Sequence, residues 1–144
     1  MLIAFRKSNK GQSLVELALG VTVLVWLLSG IFDLGRAIFW KFALQDAAEE
    51  GVIYGVVYPN QCTLIERRVE NSLEGNSDIP ANPYISVKIN DLDCNSDELS
   101  LAYGQLMEIE VSSTYTMSMP FLTGTEVSLK GTANGTILRP PPGS

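Results

Sequence analysis

Leu14 to Phe32 reads LVELALGVTVLVWLLSGIF, and Glu16 is its one charged residue. From Leu17 to Phe32 the run is uninterrupted, about 24 Å of helix at 1.5 Å per residue. A hydrocarbon core of about 30 Å prefers about 20 apolar residues, so Leu14 and Val15 must be counted in and Glu16 placed near the interface. A helix that is apolar on every side has little interior to hide in when the whole chain has 144 residues. The stretch therefore predicts a membrane-spanning helix over about 14–32.

The flanks orient it. Arg6, Lys7 and Lys10 precede the run with no acidic residue among them, and cytoplasmic flanks hold the excess of Lys and Arg. The expectation is a single-pass protein of the cytoplasmic (inner) membrane, its N-terminus in the cytoplasm and its body outside. A cleavable secretory signal needs a small-x-small cut site soon after the apolar core. Here DLGRAIFWKFALQDAAEEG follows from Asp33, helical in character and without a good site of that kind.

Composition narrows the chemistry. The chain carries 10 basic and 16 acidic side chains, a formal charge of −6, with three of the basic residues in the first ten positions. Such an acidic body argues against nucleic acid as a partner, because phosphate binding takes clustered Lys and Arg. There is no histidine, which removes the commonest general base and the commonest zinc ligand, and two cysteines cannot complete a structural zinc site. No cofactor or metal is expected.

Beyond the membrane run the apolar residues thin to a stripe: Leu34, Ala37, Ile38, Trp40, Leu44, Ala47, Ala48 and Val52. Spacings of three and four predict that the same helix continues, spanning 12–57 and stopping before Pro59. Trp40, with Phe39 and Phe42, reads equally as an interfacial aromatic belt or as core of the outer domain.

Residues 58–138 read as an extracytoplasmic α+β domain. A short helix opens at Gln61-Cys62-Thr63, where Thr63 and Glu66 fit a capping box, and Ile65, Val69 and Leu73 would face inward. Arg67 and Arg68 read as a solvated face, and Gly75 to Pro83 as turn-rich. Strand alternation marks Tyr84–Ile89, Leu106–Ser112 extending toward Met117, Glu126–Lys130 and Thr132–Leu138. Turns or breaks are expected around Gly104, Thr123-Gly124 and Asn134-Gly135. The expected fold is a long helix packed on a mostly antiparallel sheet of three or four strands. Residues 139–144 form a Pro-rich tail.

Cys62 and Cys94 are a disulfide candidate if the domain lies in an oxidising compartment. Asp91, Asp93, Asn95 and Asp97 have the spacing that opens a calcium loop. Ser96 stands where its glycine belongs and Ala102 where its bidentate glutamate belongs, so a solvated acidic loop is the better reading.

The residues around the start of the apolar run carry a further signal. Lys10-Gly11-Gln12-Ser13-Leu14-Val15-Glu16 ends a basic leader in glycine and places a carboxylate five residues later. This resembles the processing site of type IV pilin-like precursors, which a prepilin peptidase cuts after the glycine. GQSLVELALG, then Asp33-x-Gly35-Arg36, then Gln45-x-Ala47-Ala48-x-x-Gly51-x-x-Tyr54 together resemble the TadE-like pseudopilins of tight-adherence (Flp pilus) systems, over roughly residues 11–55. The resemblance implies removal of the leader 1–11, cleavage between Gly11 and Gln12, and a pilin-like fold. Its implied partners are the peptidase, other pilin-like subunits, the assembly platform with its ATPase, and membrane lipid.

Glu16 has a physical reading of its own. A carboxylate in a membrane helix is costly unless paired. Cleavage would create an ammonium at Gln12, about 6 Å from Glu16 along the helix axis. Pairing with that ammonium, its own or a neighbour's, would set the stagger between adjacent helices; residence in the head-group layer is the plainer account.

The leading expectation is a minor pilin or pseudopilin acting in pilus assembly and surface adhesion, not an enzyme. A membrane-tethered ligand-binding or sensor module is the alternative. A membrane-anchored hydrolase using Glu108 and Glu110 is weaker, since both lie on one exposed strand face opposite Ile109.

Overall fold

The computed structural model describes residues 10–74, 83–97, 100–120 and 122–138. Residues 1–9, most of the turn-rich stretch, residues 98–99 and 121, and the Pro-rich tail lie outside them.

One helix, α1, runs from Lys10 to Gly55. Its 46 residues make a rod of about 69 Å. It begins earlier than expected, so Gly11 and Gln12 belong to its first turn, and it ends two residues sooner, at Gly55. The next helix, α2, spans Cys62–Leu73 and buries Cys62, Ile65, Val69 and Leu73. The expected capping box is not formed. Gln61 is the N-cap, no side chain caps the helix, and Thr63 already lies inside it. Position 61 instead looks back to α1, where the Tyr54 hydroxyl donates to Gln61 Oε1 at 2.6 Å.

Four strands follow: β1 Tyr84–Ile89, β2 Leu92–Asp93, β3 Leu106–Thr116 and β4 Glu126–Thr136. They form one sheet in the order β2-β1-β3-β4, antiparallel throughout. The short β2 was not anticipated. Asn90 and Asp91 both take positive φ, at 49° and 66°, and form the two-residue turn that pairs Ile89 with Leu92. Asn and Asp tolerate that conformation better than other non-glycine residues, which is why they serve tight hairpins. Thus Asp91 sits in a turn, and Asp93 accepts the Asn95 amide at 2.8 Å.

The expected break at Asn134-Gly135 is corrected: both residues lie inside β4, as does Gly131. These glycines mark close approach, not chain reversal. A Cβ on Gly131 would run into the backbone of Leu44 and Gln45, and one on Gly135 would meet Val52 and Val56. Turns do occur at Gly104 and Gly124, each with φ near 84°.

The core lies between the sheet and the outer half of α1. Leu44, Ala47 and Ala48 from α1 and Ile65 and Val69 from α2 are fully enclosed, facing Ile89, Met107, Ile109 and Val111 of the sheet. Burying a side chain of this size contributes about 1.5–3 kcal/mol. The small pair Ala47-Ala48 lets helix and sheet approach. Trp40 is core too, 5% exposed and edge-on to Tyr115, whereas Phe39 and Phe42 stay exposed. Of the three aromatics, Trp40 alone takes the core role. Cys62 and Cys94 are joined by a disulfide, with Cα atoms 5.9 Å apart, tying the start of α2 to the segment after β2.

Candidate functional site

From Gly11 to Leu28 every residue of α1 is exposed. The exposed side chains include Leu14, Val15, Leu17, Leu19, Leu24 and Leu27. A helix that leaves this much apolar surface uncovered by its own protein needs another apolar medium, and lipid is the one its length fits. The apolar window has a mean hydropathy of 2.2 and none of it is buried by protein.

Gly11, Gln12 and Glu16 lie together at the start of this segment. Their helical spacing brings Gln12 and Glu16 onto neighbouring positions one turn apart. Glu16 is exposed, as are the small residues Ser13 and Gly20 beside it. Nothing stands within 4 Å of where a Cβ on Gly11 or Gly20 would project, so both leave the helix surface open to a neighbour.

At the far end of the segment the helix gains partners. Asp33 is 8% exposed, the one buried charged residue among those described. Its carboxylate accepts three hydrogen bonds from the end of β3 and the β3–β4 connection: Tyr115 Oη donates to Oδ1 at 2.6 Å, and the Ser118 and Met119 amides donate to Oδ2 at 2.9 and 3.1 Å. Tyr115 also reaches the Asp33 carbonyl oxygen at 3.3 Å. The Tyr115 hydroxyl first, then the two amides and the Arg36 charge, hold the Asp33 carboxyl below the ordinary carboxylate value, against the upward push of burial. Burial, the hydrogen bond to Asp33 and its negative charge raise Tyr115 above the usual phenol value. A buried carboxylate is costly without partners, and here three donors meet it.

Further out, Gln45 closes the free edge of the sheet. Strand β4 is an edge, and the Gln45 amide imitates a neighbouring strand for it. Gln45 Nε2 donates to the Thr132 carbonyl at 2.8 Å, and the Thr132 amide donates to Gln45 Oε1 at 3.1 Å. This is how a polar residue next to the Gly131 contact satisfies backbone groups that would otherwise invite another strand. One turn and a half later, Gly51 packs under Val69 and Ile109, and Tyr54 carries Arg68 over its ring at 5.2 Å. Arg68 also reaches Glu50 at 3.5 Å, while Arg67 is exposed.

The spaced residues of the sequence pattern thus divide by task. Asp33, Gln45, Ala47, Ala48, Gly51 and Tyr54 dock the helix on its domain, whereas Gly11, Gln12 and Glu16 face outward. The Asp33–Tyr115 contact escaped sequence reading because 82 residues separate the partners. A signal existed: an aspartate ending an apolar run must be solvated or matched.

Glu108 and Glu110 lie on the outer sheet face, and Lys130 Nζ reaches Glu110 at 2.8 Å. Ile109 between them is fully buried on the opposite face. Among the described residues no group of three His, Cys, Asp or Glu side chains is placed to hold a metal ion.

No curated protein and no solved structure matches the chain. Residues 11–52 match the family model described as TadE-like protein. The match begins at Gly11 and ends at Val52, covering the exposed segment, the Asp33 contact and most of the docking stripe. The matched residues include Gly11, Glu16, Asp33 and Gln45 of α1, and the four-stranded domain lies beyond them.

Proposed function

We propose that this chain is a membrane-anchored structural subunit of a tight-adherence pilus system, a pseudopilin or minor pilin that takes part in pilus assembly and surface adhesion. One observation carries the reading: the TadE-like match coincides with a helix whose first half is apolar, uncovered and long enough to span a bilayer. Likeness to TadE-like proteins implies a structural pilus component rather than an enzyme.

In this reading the leader through Gly11 is removed by a prepilin peptidase on the cytoplasmic side. The new ammonium at Gln12 balances Glu16, and helices from neighbouring subunits pack along the exposed segment. Glu16 favours one stagger because other registers leave a charge unpaired in lipid. The domain stands outside the cytoplasm, where an oxidising compartment suits the Cys62–Cys94 bond.

N-terminal sequencing of membrane-purified protein, expressed with the peptidase, tests this. The mature chain should begin at Gln12, and Gly11→Leu should leave the full precursor. A chain that begins at Met1 with the peptidase active, or beyond Phe32, would overturn the reading.

A further inference from the structure

We infer that the β3–β4 connection is a second membrane contact: its tip, around Met119, Pro120 and Leu122, rests in the interface of the bilayer that α1 crosses. The inference rests on residues 14–32 being membrane-spanning, and not on any role in a pilus.

Position comes first. The Ser118 and Met119 amides bind the Asp33 carboxylate, one residue past the end of the apolar segment. Ser29 and Phe32, inside that segment, line one cleft with Asp33, Arg36, Ser118 and Met119. Ser29 and Gly30 are partly covered, although every residue from Gly11 to Leu28 is exposed. Domain and membrane segment therefore overlap by about one helical turn. When Phe32 is at the edge of the hydrocarbon, this loop is within a few ångströms of that edge.

The strands give the same level independently. Gly131 lies against Leu44 and Gln45, and Gly135 against Val52 and Val56, so β4 runs alongside α1. Four strand residues cover about 13 Å and the matching stretch of helix about 14 Å, so the two advance together. Extrapolated back to Glu126, β4 starts near the level of Asp33, and the tip lies at or below it.

Chemistry agrees with position. From Val111 to Thr125 the sequence has no charged residue, in a chain whose formal charge is −6. Moving charged side chains out of water toward the hydrocarbon is costly, so the charge-free end of an acidic domain is the one that can approach it. Leu122 is 45% exposed, and Pro120 is exposed beside it. The backbone amides that would be costly to bring near lipid are already matched: Ser118 and Met119 by Asp33, Gly124 by Met117 and Thr125 by Leu122. Asp33 thus does for this loop what a head-group acceptor would otherwise have to do. The consequence is orientation, because a helix anchored at one point can swivel its domain and two contacts hold the sheet at a fixed tilt.

The test uses the full chain in phosphatidylcholine vesicles. An environment-sensitive fluorophore is placed on Leu122→Cys and, as the control, on Tyr103→Cys, an exposed site beside Gly104 near the other end of the sheet. Lipids brominated near the top of the acyl chain should quench the label at 122 severalfold more than the label at 103, with a blue-shifted emission. Adding Asp33→Asn should weaken the quenching at 122. Trp26 quenching by deeply brominated lipid, read in the same labelled protein carrying Trp40→Phe so that Trp26 is its one tryptophan, reports the span itself. Quenched Trp26 with equal quenching at 122 and 103 overturns the second contact and leaves the span standing. Unquenched Trp26 overturns both.

Discussion

Between Gly11 and Leu28, α1 exposes every side chain; between Trp40 and Gly55, the same helix buries Ala43, Leu44, Ala47, Ala48 and Val52 against a sheet. The residues explain the difference. The first half is apolar on all sides, so no face is distinguished and no single protein surface can cover it. The second alternates the stripe with Lys41, Asp46, Glu49 and Glu50, which defines one buried face. Backbone hydrogen bonding is identical in both halves, so the choice between lipid and protein is made by side chains alone. Asp33 stands at the changeover: the first charge after Glu16 and the first point where the domain grips the helix.

If the outer half owes its stability to the domain, perturbing the domain should leave the inner half untouched. The largest effect is expected from Cys62→Ser with Cys94→Ser. Opening a bridge between residues 32 apart should cost about 3–4 kcal/mol by chain entropy. Thermal unfolding followed by near-ultraviolet circular dichroism should show a clear drop in midpoint, while helicity from the lipid-embedded half persists after the domain melts. A domain as stable without the bridge would mean that helix packing alone holds it.

Next in size is Gly131→Val. The added side chain meets the Leu44–Gln45 backbone, which cannot move aside as a flexible side chain can. A loss of about 1–3 kcal/mol is expected, with the Gln45–Thr132 contact broken. Gly20→Val, at an open position of the inner half, should leave the domain's midpoint unchanged. Equal effects at the two sites would erase the distinction between the halves.

Much of this division was legible in advance. The run of exposed leucines and valines, the stripe from Leu34 to Val52, three of the strands and the inward positions of α2 all follow from periodicity, a local property. What escaped reading depends on distant partners. Asn134-Gly135 resembles a turn until Val52 and Val56 are seen to need the space. Trp40 cannot be told from Phe39 by sequence, because only the tertiary position of Tyr115 selects it. Thr63 loses the cap because α2 has begun by Cys62, which is bonded to Cys94. At the candidate site, Gly11, Gln12 and Glu16 are singled out by a contiguous signal, and the Asp33 contact was not legible because its donors, at the end of β3 and in the loop after it, come 82 to 86 residues later.

The Asp33–Tyr115 contact should confer a pH window on the outer half. Asp33 is held below the ordinary aspartate value of about 4, so its contribution is complete above that value and is lost as pH falls through its folded value. Tyr115 is raised above the ordinary phenol value of about 10, so its contribution is complete below that value and is lost as pH rises through its folded one. Between those limits Tyr115→Phe, which removes one hydrogen bond to a charged acceptor, should cost about 1.5 kcal/mol. Asp33→Asn should remove the acid limb attributable to this site. A midpoint difference between wild type and Asp33→Asn that stays constant across the acid limb would show that the carboxylate contributes nothing as a charge.

Glu16→Ala should have the smallest effect on the fold and the clearest effect on assembly. Glu16 is exposed on the inner half, so its loss should leave the domain's midpoint and membrane insertion unchanged, and insertion should if anything become easier, since a charge is removed from an apolar segment. What should fall is crosslinking to partner pilins and pilus yield. Asp33→Asn inverts this pattern, with a stability loss and intact processing at Gly11. Two carboxylates at opposite ends of one apolar segment would then be distinguished by what each faces: Asp33 the chain's own loop, Glu16 a neighbour. If Glu16→Ala left crosslinking and pilus yield unchanged, Glu16 would be a head-group residue and the stagger between helices would have to come from the small residues Gly20, Thr22, Ser29 and Gly30 alone.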